Sequence, residues 1–193
     1  SGSYENILIP TDRLPTASML LRGLSVMPQP CKAGLSVIAV HPTGNAVLNW
    51  ARELVNTSIE TVEGALQNGV RGPSPVMAVP YLSGSMTYWE NGRKARGGLI
   101  GLTLATSGTD VVQAFMEGIA YDTVNTLSLM VDEGIGVERI RITGGGAMLA
   151  LPDGAWQNAE GHLGLGATST TVTAVLSRRG SSCRRRAPSV CSS

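Results

Sequence analysis

The stretch RIRITGGGA at residues 139–147 places a short alternating strand directly before three consecutive glycines. Val137, Ile140 and Ile142 fall near the two-residue period of a β-strand. The glycines remove every Cβ atom after this strand and permit positive φ angles, so a ligand or a helix can approach the backbone closely. Open α/β sheets bind ligands at such strand ends. The tripeptide alone fits a nucleotide-contacting turn and a ligand-free turn equally well.

The overall composition excludes several classes of protein. The 193 residues contain no run of about 18 apolar residues and open with no basic-then-apolar leader, so we expect no membrane partner and no secretory signal. Cys31, Cys183 and Cys191 form no CxxC spacing, which favours a reducing compartment over a disulfide framework or a zinc site. We therefore expect a cytoplasmic protein with one good core or two small ones.

Charge is distributed unevenly along the chain. Residues 161–193 contain five arginines and no acidic residue, whereas the preceding part has 10 basic and 14 acidic residues. An arginine-rich tail is one signal of nucleic-acid binding. Because no aromatic residue lies among these arginines to stack on bases, we expect no nucleic-acid partner.

Hydrophobic spacing predicts strands that alternate with helices. Residues 6–30 are typical of strand and loop, and beyond them the pattern predicts a buried strand at 35–40, helices at 45–55, 58–67 and 110–134, and a strand at 137–143. This order is that of an α/β unit. The predicted apolar faces of the first and last helices are Val47, Trp50, Ala51 and Leu54, and Val112, Phe115, Met116, Ile119, Leu127, Met130 and Val131.

Several polar side chains have both a structural and a chemical interpretation. His41 could be a ligand or a base, but no second histidine or thiol stands at metal spacing, so we expect a hydrogen-bonded structural histidine. Trp50 is typical of core packing. Asp110 is predicted as the N-cap of the long helix, with Gln113 completing a capping-box-like pair. Glu117 could be a buried carboxylate, although a solvated or capping role is the usual one.

Four motifs, in order, resemble the C-terminal domain of the FGGY family of carbohydrate kinases, which includes xylulokinase-like and glycerol-kinase-like enzymes. Residues 97–118 (GGLIGLTLAT, then Asp110 and AFMEG) are similar to a family signature, apart from Phe115, where a smaller residue is more usual. Residues 79–84 (VPYLSG), 44–50 and 143–147 resemble three further family segments, the last being an adenosine-contacting loop. Four motifs in the family's order are far more specific than any one.

The resemblance implies a fold, a domain organisation and partners. The family has two actin-like, ribonuclease-H-like domains, and the one this chain resembles is an α/β domain with a mixed sheet flanked by helices. It would occupy residues 1–147, followed by an atypical, poorly ordered tail at 148–193. The family binds ATP and Mg mainly in this domain and the sugar or polyol substrate mainly in the N-terminal domain. A homodimer of the full-length kinase is compatible with the resemblance.

The resemblance also assigns candidate cofactor-binding residues. Gly2 and Ser3 match a loop that meets the β- and γ-phosphates, and Gly44, Asn45 and Asn49 match the region near the nucleotide. The turn under the adenosine corresponds to Gly144, Gly145, Gly146 and Ala147. Small residues with exposed N–H groups are what phosphate and ribose oxygens require. No metal ligand is assigned.

Two departures from the family bear on activity. The family's catalytic aspartate lies upstream of the loop at which this chain begins, so we expect the chain alone to be inactive. After Ala147 the family pattern is lost, and we interpret the following residues as translated out of the ancestral frame. A non-catalytic binding or regulatory remnant of the kinase fold is the alternative. A dinucleotide-binding oxidoreductase half fails, because the third glycine of GxGxxG would fall on Leu149.

Overall fold

A computed structural model of the chain describes residues 5–29, 33–67, 73–87, 89–136 and 173–175. The elements in these ranges are strands β1 (Glu5–Thr11), β2 (Ser25–Pro28), β3 (Leu35–His41), β4 (Met77–Val79), β5 (Gly98–Ile100) and β6 (Thr173–Val175), and helices α1 (Ala17–Leu21), α2 (Asn45–Leu54), α3 (Ile59–Gln67), α4 (Trp89–Gly92) and α5 (Gly108–Asp132). The strand predicted at 35–40 and the three predicted helices are therefore confirmed, with ends within two residues. The strand predicted at 137–143 lies outside the described residues, as does the tail at 148–193 apart from β6.

The larger sheet has the strand order β2-β3-β1-β6. β3 is antiparallel to both β1 and β2, and β6 is parallel to β1. Ile7 pairs with Ala39 and Ile9 with Val37, so β-branched and small side chains alternate onto one buried face. We call the core formed on this face the sheet cluster; its members are Ile7, Ile9, Met19, Leu24, Val37, Ala39, Leu127, Met130 and Ile135.

A second core, the helix cluster, lies between α2, α3, α5 and the β4–β5 pair. Its members are Val47, Leu48, Ala51, Val62, Val76, Ala78, Val111, Val112, Ala114, Phe115 and Met116. The first half of α5 therefore packs in the helix cluster, whereas Leu127 and Met130 in its second half pack in the sheet cluster. One long helix thus joins both cores.

The start of α5 differs from the prediction. Ser107, not Asp110, is the N-cap: its hydroxyl accepts from the Asp110 N–H at 3.2 Å, and the Asp110 carboxylate accepts from the Ser107 N–H at 2.8 Å. Serine and aspartate are both good N-cap residues. The reciprocal pair of hydrogen bonds places the N-cap, whose backbone is extended, at Ser107. Gln113 is not part of this box, because its amide donates to Glu117.

The ends of the predicted apolar faces are also wrong. Leu54 and Val131 are 58% and 53% exposed, since each lies near the end of its helix and beyond the neighbouring core. Trp50, predicted to pack in the core, is 43% exposed. Its ring nevertheless contacts Phe115 edge-on, with centroids 5.8 Å apart and planes at 82°. It therefore covers the rim of the helix cluster instead of filling it.

Candidate functional site

The described part of the predicted nucleotide site is the turn between β3 and α2. β3 ends at His41, and Gly44 is the N-cap of α2, without a side chain to accept the first N–H groups of the helix. These groups have no acceptor within an α-helix and lie at the positive end of its dipole. Thr43 is 1% exposed, and its hydroxyl has no hydrogen-bond partner in the described residues. The turn therefore places the N–H groups of Asn45 and Ala46 at the positive end of the helix, whereas the Val47 N–H already donates to the Gly44 carbonyl at 3.0 Å.

The predicted residues Gly44, Asn45 and Asn49 lie together at this turn. Asn45 and Asn49 are exposed and one helical turn apart, so they share a face of α2. The Asn49 side-chain oxygen accepts from Arg52 Nη1 at 3.2 Å. The other six predicted residues lie outside the described ranges: Gly2, Ser3, Gly144, Gly145, Gly146 and Ala147.

An open polar cleft of about 350 Å³ continues from Asn49 along the end of α2. It is lined by Asn49, Arg52, Glu53, Asn56, Thr57 and Ser58. At the adjoining start of α3, the backbone N–H of Glu60 and then the Ser58 hydroxyl hold the pKa of the Glu60 carboxyl below its ordinary value, with a smaller contribution from Arg52. Of the residues that line this cleft, only Asn49 was predicted from the sequence. The change from helix-forming residues to capping residues at 56–58 was the signal for the turn between α2 and α3.

A buried carboxylate joins the end of β3 to two other segments. Asp122 Oδ2 lies 2.7 Å from His41 Nδ1, and Asp122 Oδ1 accepts from the Tyr81 hydroxyl at 2.9 Å. The prediction that His41 is a hydrogen-bonded structural histidine is confirmed. Asp122 and Tyr81 were missed. Asp122 lies 81 residues from His41 and 41 residues from Tyr81 along the chain, so no local pattern connects these side chains.

A second buried carboxylate anchors the turn before β4. The two oxygens of Glu117 accept from the Ser74 N–H at 3.0 and 3.2 Å, and Gln113 Nε2 donates to Glu117 at 2.8 Å. Glu117 is 8% exposed, so the expectation of a solvated or capping glutamate is wrong. Its charge is tolerated because donors from two segments surround it. This contact stabilises the fold, and its residues are distant in sequence from the turn between β3 and α2.

The described residues form no group of three His, Cys, Asp or Glu side chains that could hold a metal ion. Within the same ranges, every helix is too short or too polar to cross a bilayer. The described part of the site offers backbone N–H groups, amide side chains and a small-residue turn, which suit the oxygens of a phosphate or ribose.

Solved structures with the same arrangement of elements define the class of fold. Xylulose kinase from Rhodospirillum rubrum superposes with a TM-score of 0.66 at 15% identity, over 82% of this chain and 31% of that chain. Glycerol kinase from Plasmodium falciparum, solved with ADP, superposes with a TM-score of 0.51 at 21% identity, over 62% of this chain and 24% of that chain. The predicted α/β, actin-like fold is confirmed.

Sequence comparison identifies the family. The sequence model of the FGGY family of carbohydrate kinases, C-terminal domain, matches residues 27–151. Glycerol kinase from Streptococcus agalactiae is 35% identical over 115 residues, which are 57% of this chain and 22% of that enzyme. The chain belongs to the FGGY family of carbohydrate kinases and contains its C-terminal domain. It spans about a fifth of the length of the curated relatives it matches.

Proposed function

We propose that this chain is the ATP-binding half of a carbohydrate kinase that transfers the γ-phosphate of ATP to a hydroxyl of a sugar or polyol. The observation that carries the proposal is the family match over residues 27–151, a range that contains the strand, turn and helix at 35–54. The relatives support the same chemistry, since they include glycerol kinases and xylulose kinases. One of them was solved with ADP.

The described residues would bind the nucleotide through the start of α2. Gly44 has no side chain to cap α2, so the N–H groups of Asn45 and Ala46 can donate to an oxygen of the ligand, and the exposed amides of Asn45 and Asn49 extend along the same face. The loop at Gly2 and Ser3 and the turn at 144–147 are proposed to contact the phosphates and the adenosine. ATP supplies the phosphoryl group, and magnesium neutralises charge on its phosphates.

Magnesium in this proposal is held mainly by phosphate oxygens. The ion prefers octahedral oxygen ligands and keeps several waters, so kinase sites often bind it through one or two carboxylates and the substrate phosphates. Mg therefore enters with the nucleotide.

Alone, the chain is proposed to bind ATP without transferring phosphate. Phosphoryl transfer requires the nucleotide, the metal, a base and the acceptor to be positioned together. The chain is equivalent to 22% of the glycerol kinase it resembles, and the family resemblance assigns the base and the sugar-binding surface to the N-terminal domain. The sugar or polyol is therefore a partner of the two-domain enzyme.

Calorimetric titration of the 193-residue chain with MgATP tests the proposal. We expect a dissociation constant of about 1 mM or weaker. Asn45→Asp places a negative charge beside the phosphates and should weaken binding about fivefold, since an exposed like charge at short range costs about 1 kcal/mol. The matched control Asn125→Asp makes the same change on an exposed position of α5 and should bind as the wild type does.

Three results would contradict parts of this proposal. A folded wild-type chain that shows no binding of MgATP would favour a non-catalytic remnant of the kinase fold. ADP release that depends on added glycerol or xylulose would show that the chain is active by itself. Equal affinities of the two aspartate variants would move the nucleotide away from the start of α2.

A further inference from the structure

The middle of α5 carries a buried polar segment between the two cores. Five residues of α5 belong to the helix cluster, namely Val111, Val112, Ala114, Phe115 and Met116, and Leu127 and Met130 belong to the sheet cluster. Between them Asp122, Thr123 and Thr126 are 5%, 4% and 0% exposed. The carboxylate of Asp122 is therefore enclosed at the junction of the two cores, where a charge is tolerated only with donors around it.

Asp122 gathers three separate segments of the chain. His41 is the last residue of β3, Tyr81 follows β4, and Asp122 itself is in the second half of α5. The side chains of His41 and Asp122 are 2% and 3% exposed, so water screens their contact weakly. Because a carboxylate only accepts, Nδ1 of His41 carries the proton of this hydrogen bond. Hydrogen bonds to a charged acceptor are shorter and stronger than neutral ones.

The contact fixes one end of the turn that begins α2. Only Pro42 and Thr43 separate His41 from the N-cap Gly44, and the Val47 N–H donates to the Gly44 carbonyl at 3.0 Å. Val47 and Ala51 pack α2 into the helix cluster. The apolar contacts hold the helix, and the Asp122 carboxylate holds the side chain of the last residue of β3.

We propose that Asp122 is a positioning residue for the nucleotide site: by holding His41 against α5 it fixes the direction of the N–H groups at the start of α2. The part of this inference that concerns the nucleotide rests on the proposed function. Asp122 itself is enclosed, so it would act through His41. Loss of its charge should loosen the turn while the hydrophobic clusters keep α2 and α5 folded.

Asp122→Asn tests the proposal with little change of shape. The amide keeps one acceptor but loses the charge, so the hydrogen bond to His41 weakens in either orientation of the amide. The matched control is Thr126→Val, one helical turn along the same buried segment, whose hydroxyl has no partner in the described residues. Met130→Ala, in the sheet cluster, controls for a general loss of stability.

Nuclear magnetic resonance gives a readout that does not depend on nucleotide binding. The chain contains two histidines, His41 and His162, so His162→Gln leaves one ring to observe with ¹⁵N-histidine labelling. We expect the hydrogen-bonded Nδ1 proton to shift upfield or be lost by exchange in Asp122→Asn. The Val47 amide should exchange about tenfold faster, which corresponds to one hydrogen bond to a charged group. Thr126→Val should change neither signal.

Nucleotide affinity gives the second readout. The dissociation constant for MgATP should rise about tenfold in Asp122→Asn and stay unchanged in Thr126→Val. If Asp122→Asn matches Thr126→Val in exchange and affinity, the proposal is wrong. The proposal is also wrong if Met130→Ala speeds exchange of the Val47 amide as much as Asp122→Asn does, when the two variants are compared at the same free energy of unfolding. If the wild-type chain binds no MgATP, the proposed function fails, while the ring and amide signals still decide whether Asp122 positions the turn.

Discussion

Gly118 lies where α5 passes strand β4, and we expect its replacement by alanine to destabilise the chain. A Cβ atom at Gly118 would lie 2.5 Å from the carbonyl oxygen of Ala78 and 3.4 Å from Pro80 Cδ. The carbonyl belongs to the backbone of a packed strand and cannot swing away as the end of a flexible side chain can. Relief of the contact therefore requires the helix and the strand to move apart.

Two opposing effects decide the size of the loss. The contact is about 0.9 Å shorter than an ordinary 3.4 Å approach, and overpacking of this kind costs about 1–3 kcal/mol. In a helix interior, alanine stabilises the helix by about 1 kcal/mol relative to glycine. Because separating α5 from β4 also disturbs Val112 and Phe115 in the helix cluster, the clash should prevail. We expect a net loss of about 1–2 kcal/mol in the free energy of unfolding.

Gly64 in α3 provides the matched control. No atom lies within 4 Å of a Cβ built there, so only the helix propensity acts and Gly64→Ala should stabilise the chain by about 0.5–1 kcal/mol. Urea unfolding followed by tryptophan fluorescence measures both variants, since Trp50 contacts Phe115 at the rim of the helix cluster. A Gly118→Ala variant as stable as the wild type would refute the close approach of α5 and β4.

Two further changes test the carboxylates described above. Glu117→Gln should lower the free energy of unfolding by about 1–3 kcal/mol, because the Ser74 N–H loses a charged acceptor in a buried place; an unchanged urea midpoint would contradict the buried contact. The pKa of Glu60 is lowered in the folded chain, so its stabilisation is present above the unfolded pKa and is lost as the pH falls through the folded pKa. Glu60→Gln should therefore lower the urea midpoint at neutral pH and leave it unchanged in acid, and a difference that persists in acid would point to a role other than charge.

The elements that sequence reasoning placed well have local signals. The strand at Leu35–His41 is a compact β-prone run, and α2 follows it after a proline and a glycine. Both ends of α5 carry capping residues, so its length could be estimated although its N-cap was misplaced. The break between β3 and α2 was found for the same reason, whereas the assignment of Gly44, Asn45 and Asn49 to the nucleotide site came from the family resemblance.

The buried carboxylates could not be found in this way. Glu117 receives its backbone donor from Ser74, 43 residues away, and Asp122 its donors from 41 and 81 residues away. A sequence pattern records which side chains could ionise but not which distant donors surround them. Ordinary expectation therefore places an unpaired acidic residue in solvent, and for Glu117 that expectation was wrong.

The enclosed Asp122 is poorly explained by stability alone. Replacing a buried ionic contact by well-packed apolar side chains is often neutral or stabilising, because removing charges from water costs nearly as much as their attraction returns. Both cores beside Asp122 are apolar, so the position could have continued either of them. A carboxylate there does what a methyl group cannot: it selects one orientation of the His41 ring and one distance to Tyr81. His41 stands three residues before the N-cap of α2. A fixed orientation of its ring would therefore fix the direction in which the turn leaves β3, and this is the turn proposed to bind the nucleotide.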